Sequence, residues 1–252
     1  MSIILYDSPT TVPGKALSPN MWKARFCLNY KGLAHKTEWV DYCDIQEHSK
    51  KLNIKPTGKN PDGTDFHSFP AIYDPKTGVY LADSFQIAVY LDKTYPDTPA
   101  IFPNNTIGLQ AAFEGIFMAS IGPFLGFTLY DTWAVQLPVS HDYVRKKFEG
   151  IFGGMPLEEI APKGDRAIEE WKKLEEGFGK VEGLFKATDE VGPLVLGDRV
   201  SWGDIVVASF LIYFKRLWEG TEKDEQWRNI STWQGGRWAA LLDKLDAYTA
   251  IH

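Results

Sequence analysis

Ser18-Pro19-Asn20-Met21-Trp22 opens a breaker-free run, Trp22-Lys23-Ala24-Arg25-Phe26-Cys27-Leu28-Asn29-Tyr30-Lys31, that ends at Gly32. Ser18 suits the N-cap position. Pro19 suits the first helical position, where its missing N–H goes unused, and Gly32 suits the C-terminal stop. A strand-like run, Ile3-Ile4-Leu5-Tyr6, lies one loop upstream. A hydroxyl at the N-terminus of a helix that follows a strand sits where backbone N–H groups and the helix dipole favour an anion. Taken alone, the five residues favour a serine that only caps its own helix.

Outward from this helix, His35-Lys36-Thr37-Glu38-Trp39-Val40 alternates as a second strand, and Ile45 to Leu52 reads as a short charged helix. Ala71-Ile72-Tyr73 and Val79-Tyr80-Leu81 flank Asp74-Pro75-Lys76-Thr77-Gly78, a hairpin turn signal. A further helix runs from Ser84 to about Thr94 and stops at Tyr95-Pro96-Asp97. A helical crossover between the first two strands predicts parallel pairing within a small mixed sheet.

Past the proline-punctuated link Pro96–Pro103 the strand signal ends. Helical patterns follow at about 107–133, 141–152, 165–186, 204–218 and 236–249, with a break from Gly153 to Gly164. The chain therefore divides into an α/β domain over 1–96 and an all-helical domain over 104–252. Ser201-Trp202-Gly203-Asp204 precedes an apolar run, Ile205 to Ile212, in the spacing of a capping box, with Val200 and Ile205 placed as a hydrophobic staple. A buried helix start needs such a device, because its free N–H groups cannot reach water.

Composition sets the chemistry these elements can serve. The chain has 252 residues, 44% of them hydrophobic and 24% charged, with a formal net charge of −6. An acidic balance argues against a nucleic-acid footprint, which requires a clustered basic face. No run approaches bilayer length, and no basic segment precedes an apolar one at the N-terminus, so a cytoplasmic protein is expected. Cys27 and Cys43, the two cysteines, fit a reducing compartment. The five histidines show no metal-ligand spacing, and neither a phosphate-binding glycine loop nor a nucleophile elbow is present.

Two further stretches belong with Ser18. In Ser68-Phe69-Pro70-Ala71-Ile72 the proline stands at the start of a strand, one of the few sheet positions open to it. A cis Phe69–Pro70 bond there would turn the Phe69 backbone outward toward a peptide-like ligand. In Ala82-Asp83-Ser84-Phe85-Gln86, Asp83 is an N-cap candidate with Gln86 three residues on. As a binding site, Ser84 and the helix N-terminus would hold a carboxylate while Asp83 holds an ammonium, the two groups at the head of a γ-glutamyl peptide.

Ser18, Phe69-Pro70 and Asp83-Ser84, in that order within βαβ–α–ββ–α, resemble the cytosolic glutathione transferases, and the Ser201–Asp204 box resembles the folding motif of that family's helical domain. The long loop Ser8–Leu17 and the Ser-Pro-Asn-x-Trp run resemble most closely the fungal etherase-related (fungal A) class, relatives of bacterial enzymes that cleave lignin aryl ethers with glutathione. The resemblance implies a thioredoxin-like domain binding glutathione through Phe69, Pro70, Asp83 and Ser84, and no metal. It implies a thiolate stabilised by Ser18, with Asn20 as the alternative donor. Asp83 is a departure, one methylene shorter than the family's usual Glu. His48, His67, Lys55 and Lys59 are all eligible for the glycyl carboxylate. A homodimer is a further implication of the family.

The chain carries nine Trp, eleven Tyr and fifteen Phe. Phe113, Phe117, Phe124, Phe127, Tyr130 and Trp133 recur along the first long helical pattern, interrupted at Gly122-Pro123. Such a stripe is usually core. In the resembled fold this helix faces the cleft above the thiol, so Phe117, Phe124 and Tyr130, with Trp22 opposite, are expected to wall a pocket for flat apolar ligands. Two functions follow: transfer of glutathione to small aromatic or peroxide electrophiles, aryl ethers included, or a non-catalytic ligandin storing hydrophobic aromatics and polyphenols.

Overall fold

The computed structural model describes residues 2–252. Strand β1 (Ile3–Asp7) leads through an eleven-residue loop into helix α1 (Pro19–Tyr30), then β2 (His35–Trp39), a 3-10 turn at Tyr42–Asp44 and α2 (Ile45–Lys51). A two-residue-stranded hairpin, β3 (Gly58–Lys59) with β4 (Asp65–Phe66), precedes β5 (Ala71–Asp74), β6 (Val79–Ala82) and α3 (Ser84–Thr94). The main sheet has the order β2-β1-β5-β6. β1 and β2 are parallel, as their helical crossover requires, with Leu5 opposite Thr37. β5 joins antiparallel with Leu5 opposite Ile72, and β6 closes the hairpin.

The second half is helical: α4 (Ile107–Ser120), α5 (Phe124–Ala134), α6 (His141–Ile151), α7 (Leu157–Ile160), α8 (Asp165–Lys186), α9 (Trp202–Trp218) and α10 (Asp224–Lys244). The pattern read as one helix over 107–133 is two, bent by 86° at Ile121-Gly122-Pro123. That pair is apolar enough by composition to be compared with a membrane span, but among the described residues no single helix is long and apolar enough to cross one. The last helix starts earlier than the expected residue 236, because Trp227 and Ile230 supply a buried face upstream. Gln234-Gly235-Gly236, all at positive φ, breaks it in the middle. The glycine-rich segment after Ile151 contains the single turn α7, tied down by the burial of Leu157 and Ile160.

Helix α1 sits between the sheet and the helical half, packed on α3 and α9, so every residue from Met21 to Leu28 is buried. Its cations must therefore find partners, since an unpaired charge in such a place is strongly unfavourable. Arg25 pairs with Asp7 of β1 at 2.7 Å, Lys23 with Glu114 of α4 at 2.6 Å, and Lys31 with Asp92 of α3 at 2.8 Å. Burial still pushes the Asp7 carboxyl upward despite Arg25. Asp204 at the start of α9 accepts from the Ser201 N–H and hydroxyl and from the Val195 N–H at 2.8–2.9 Å, completing the capping box. Its burial outweighs those donors and pushes its pKa up to about 6.

Most of the aromatic surplus is structural. Phe178, Phe185, Phe210, Phe214, Trp202, Trp218 and Trp238 are buried in one continuous cluster that reaches α1. Their rings pack mostly edge-on or tilted, for example Phe178 against Trp238 at 5.1 Å and Phe117 against Phe210 at 5.4 Å.

Candidate active site

Ser18 occupies the N-cap of α1 with φ −55° and ψ 129°, and Pro19 follows at the first helical position. Its hydroxyl makes no capping bond, so it remains available to a ligand. Ser18 is half-buried where two hollows meet, of about 320 and 220 Å³, which share Ser18, Asn20, Met21, Tyr42 and Lys147. The larger is walled by Met118, Phe124, Leu125, Phe148 and Phe210, and is therefore chiefly apolar. The smaller is lined by Phe66, His67, Ser68 and Phe69.

Asn20 is exposed, and its carbonyl oxygen accepts from Lys23 Nζ at 3.1 Å. The same ammonium bonds Glu114, whose other oxygen accepts from Trp202 Nε1 at 2.8 Å. A chain of polar contacts thus runs from the start of α9 to Asn20 and leaves the Asn20 amide N–H groups unengaged on the cavity side. The Phe69–Pro70 bond is cis, and Pro70 accepts from the Asp83 N–H at 3.1 Å. The Thr57 and Ser68 hydroxyls are 2.8 Å apart. Ser68 faces the smaller hollow, whereas Thr57 faces a neighbouring groove of about 480 Å³ that also contains Asp83 and Lys55.

Residues 17–94 match the family described as "Glutathione S-transferase, N-terminal domain", and residues 108–248 match "Glutathione S-transferase, C-terminal domain". A glutathione S-transferase of Ceriporiopsis subvermispora, solved in complex with glutathione, has a TM-score of 0.93 and 38% identity, covering 100% of this chain and 99% of that one. The glutathione transferase GSTFuA3 of Phanerochaete chrysosporium has a TM-score of 0.92 and 35% identity over 100% and 99% of the two chains. The glutathione S-transferase-like protein ustS of Aspergillus flavus is 30% identical over 94% of this chain and 87% of its own length. The chain belongs to the glutathione S-transferase family. Its fold is that family's, a thioredoxin-like α/β domain followed by a helical domain, and its likeness is to the fungal A class.

Within this transferase fold the remaining expected residues separate. Asp83 is exposed, held at φ 81°, and its carboxylate caps α3 by accepting from Gln86 N–H at 2.9 Å. Ser84 is buried at the first position of α3. Of the residues eligible for a glycyl carboxylate, His67 lines the smaller hollow with Ser18, and Lys55 lines the groove with Asp83. Lys59 is exposed and paired with Asp65 at 2.6 Å. His48 stands beside Glu38 at 4.0 Å, with its ring 5.1 Å from that of Tyr6.

The expected aromatic wall needs correction. Phe124 does line the larger hollow. Trp22 is 1% exposed, its ring 5.5 Å from both the Arg25 and the Arg216 guanidinium groups, and so it belongs to the core beneath α1. Phe117 is fully buried against Phe178 and Phe210, because the last turns of α4 face α8 and α9. Tyr130 lies on the outer face of α5 at 37% exposure, its ring tilted against that of Trp133 at 5.5 Å. The wall instead includes Tyr42, Phe148, Phe210 and Tyr213, with Lys147 among them. Phe210 and Tyr213 lie in or beside the apolar run after Asp204, and they are only 2% and 4% exposed. Burial pushes the Tyr213 phenol up to about 12, so it stays a neutral hydroxyl, 2.6 Å from that of Thr132. Cys27 is buried and its thiol is pushed well up by desolvation, which leaves it inert.

Proposed function

We propose that the protein is a glutathione transferase of the cytoplasm that holds glutathione on its 1–96 domain and an aromatic or peroxide electrophile against its 104–252 domain, acting as a homodimer. The observation that carries this reading is the Ser18 hydroxyl: it stands at the N-cap of α1, caps nothing, and opens onto both hollows. A free cysteine thiol has a pKa of about 8.5 and is mostly protonated at neutral pH. Lowering it by about two units takes roughly 2.7 kcal/mol. One hydrogen bond from a hydroxyl to the thiolate contributes about 1.5–3 kcal/mol, and the helix N-terminus about 0.3–1 kcal/mol. No general base is needed for that magnitude, and the Asn20 amide offers a second donor on the same rim.

The site residues then divide their tasks. The Phe69 backbone and Pro70 meet the cysteinyl part of glutathione, and Asp83 and Ser84 the γ-glutamyl head. The thiolate attacks an electrophile held in the larger hollow, where Phe124 and Phe210 supply flat apolar contact. Cleavage of aryl ethers and reduction of peroxides are within this chemistry. A ligandin role, storing polyphenolic or other aromatic compounds in the same hollow, is a second reading supported by its apolar lining. Retention on immobilised glutathione followed by turnover with a panel of aryl halide, aryl ether and hydroperoxide substrates tests the first reading. Retention without turnover on any substrate, together with displacement of an apolar dye by aromatic compounds, would leave only the ligandin.

A further inference from the structure

Lys147 is the cation of the larger hollow, and it comes from the helical half of the chain. It projects from α6 toward the turn Tyr42–Asp44, with Val144 and Phe148 of the same helix buried beneath it. Its Nζ lies 2.9 Å from the Tyr42 hydroxyl and 4.9 Å from the ring centroids of both Tyr42 and Phe66. An ammonium has donors only, so Tyr42 accepts from it and keeps its own O–H proton to give elsewhere. Two N–H bonds of Lys147 and one O–H of Tyr42 are thus held in the shared wall of the two hollows.

The surrounding charge is one-sided. The chain has 33 acidic residues against 27 basic ones, yet among the described residues no carboxylate lines either hollow. Lys23 and Arg25, buried in the neighbouring helix α1, each have an acidic partner within 2.7 Å. Lys147 has two aromatic faces and a phenol in place of one. A cation half-removed from water without an anion is a ready site for one supplied by a ligand. The apolar wall opposite, with Phe124, Phe210, Leu125 and Met118, accepts an aromatic body rather than a hydrated ion.

We propose that Lys147 and Tyr42 form a carboxylate-reading subsite, which directs this transferase toward aromatic acids as second ligands. The inference rests on the larger hollow being the electrophile and ligand site. The ring of such a compound lies on Phe124 and Phe210 while its carboxylate meets Lys147 Nζ and the Tyr42 hydroxyl, close to Ser18.

The test uses trans-cinnamate and methyl cinnamate, which share a ring and differ in charge, each displacing an apolar fluorescent dye from the glutathione-saturated protein at pH 7. Wild type is expected to favour the acid by about tenfold, the scale of one charge-assisted hydrogen bond. Lys147→Met should abolish the preference while leaving the ester's affinity within about twofold, and Lys147→Arg should restore most of it. Tyr42→Phe should reduce it, and added salt should weaken the acid alone. Equal acid-to-ester ratios in wild type and Lys147→Met would overturn the proposal. So would a tenfold loss of glutathione affinity in Lys147→Met with the ratio unchanged, since the ammonium would then serve the tripeptide. If neither cinnamate displaces the dye although glutathione binds, the subsite is refuted and the thiolate reading stands. If glutathione does not bind wild type at all, the thiolate reading falls separately.

Discussion

Replacing Ser18 by Ala removes one hydroxyl from the rim of the two hollows and nothing else that α1 uses, because that hydroxyl makes no capping bond. Two consequences follow that a mere cap would not combine. A capping serine replaced by alanine typically loses about 1 kcal/mol of stability. Here the unfolding free energy should change by less than about 0.5 kcal/mol, the range of a substitution that breaks no native contact. The thiolate of bound glutathione, in contrast, loses a hydrogen bond worth about 1.5–3 kcal/mol, which at about 1.36 kcal/mol per unit raises its pKa by about one to two units. Ultraviolet titration of the thiolate in the saturated complex reads the shift, and calorimetry of glutathione binding at low pH reads the anchoring, which should be nearly unchanged. Identical thiol pKa values in wild type and Ser18→Ala would refute the assignment and move it to Asn20. A stability loss near 1 kcal/mol with no pKa change would make Ser18 a cap after all.

Asp83→Asn keeps a side chain that can cap Gln86 N–H and tolerates φ 81°, so the melting temperature should hold. Glutathione affinity should nonetheless fall by about 1.5–3 kcal/mol if the charge meets the γ-glutamyl ammonium, and calorimetry of both quantities checks it. Phe117→Ala should destabilise the fold by about 3–5 kcal/mol, because the ring is fully buried. Phe124→Leu, on the cavity wall, should instead weaken apolar ligands more than it lowers stability, and dye displacement beside chemical denaturation separates the two. His35 is buried, 4.9 Å from the His252 ring and near Arg25, and burial lowers its pKa to about 4. A depressed base favours the neutral form in the fold, so its contribution is intact above pH 6.5 and is lost progressively as pH falls from 6.5 to 4. His35→Phe should therefore lose less stability than wild type between pH 7 and 4, by on the order of 3 kcal/mol at most. The raised pKa of Asp204 acts in the opposite direction over much of that range but is common to both proteins. Parallel acid profiles would contradict the assignment.

The parts legible in sequence are those set by neighbours along the chain. Ser18-Pro19 marks the start of α1 because capping and a missing N–H act within one turn. Ser201 and Asp204 are as local, three residues apart, and the structure joins them by two hydrogen bonds. The hairpin β5–β6 follows from its turn residues, and the parallel β1–β2 pair from its crossover. Lys147 is invisible to the same logic. In α6 it occupies the half-buried face of an amphipathic helix, and only the approach of Tyr42 and Phe66, about 80 to 105 positions upstream, turns that face into a cavity wall. Trp22 is the converse case. It lies one turn from Ser18, but successive side chains on a helix point about 100° apart, and the turn carrying Asn20 and Met21 to the hollow carries Trp22 into the core.

The stripe from Phe113 to Trp133 shows why periodicity identifies a buried face without naming what buries it. Had the helix been continuous, its aromatics would have shared one environment. The 86° bend at Ile121-Gly122-Pro123 divides them instead. Phe113 and Phe117, before it, face Phe185, Phe178 and Phe210 and complete the helical core. Phe124 and Leu125, after it, turn toward Ser18 and Asn20 across the larger hollow, while Met118 closes the near side. Pro123 cannot donate a backbone hydrogen bond, and the chain instead starts a fresh helix whose first turn carries Phe124. The break that looks like a defect in a core helix is therefore what gives the cleft above the α1 N-terminus its apolar wall. The proposed function rests on that wall standing opposite a hydroxyl that its own helix does not use.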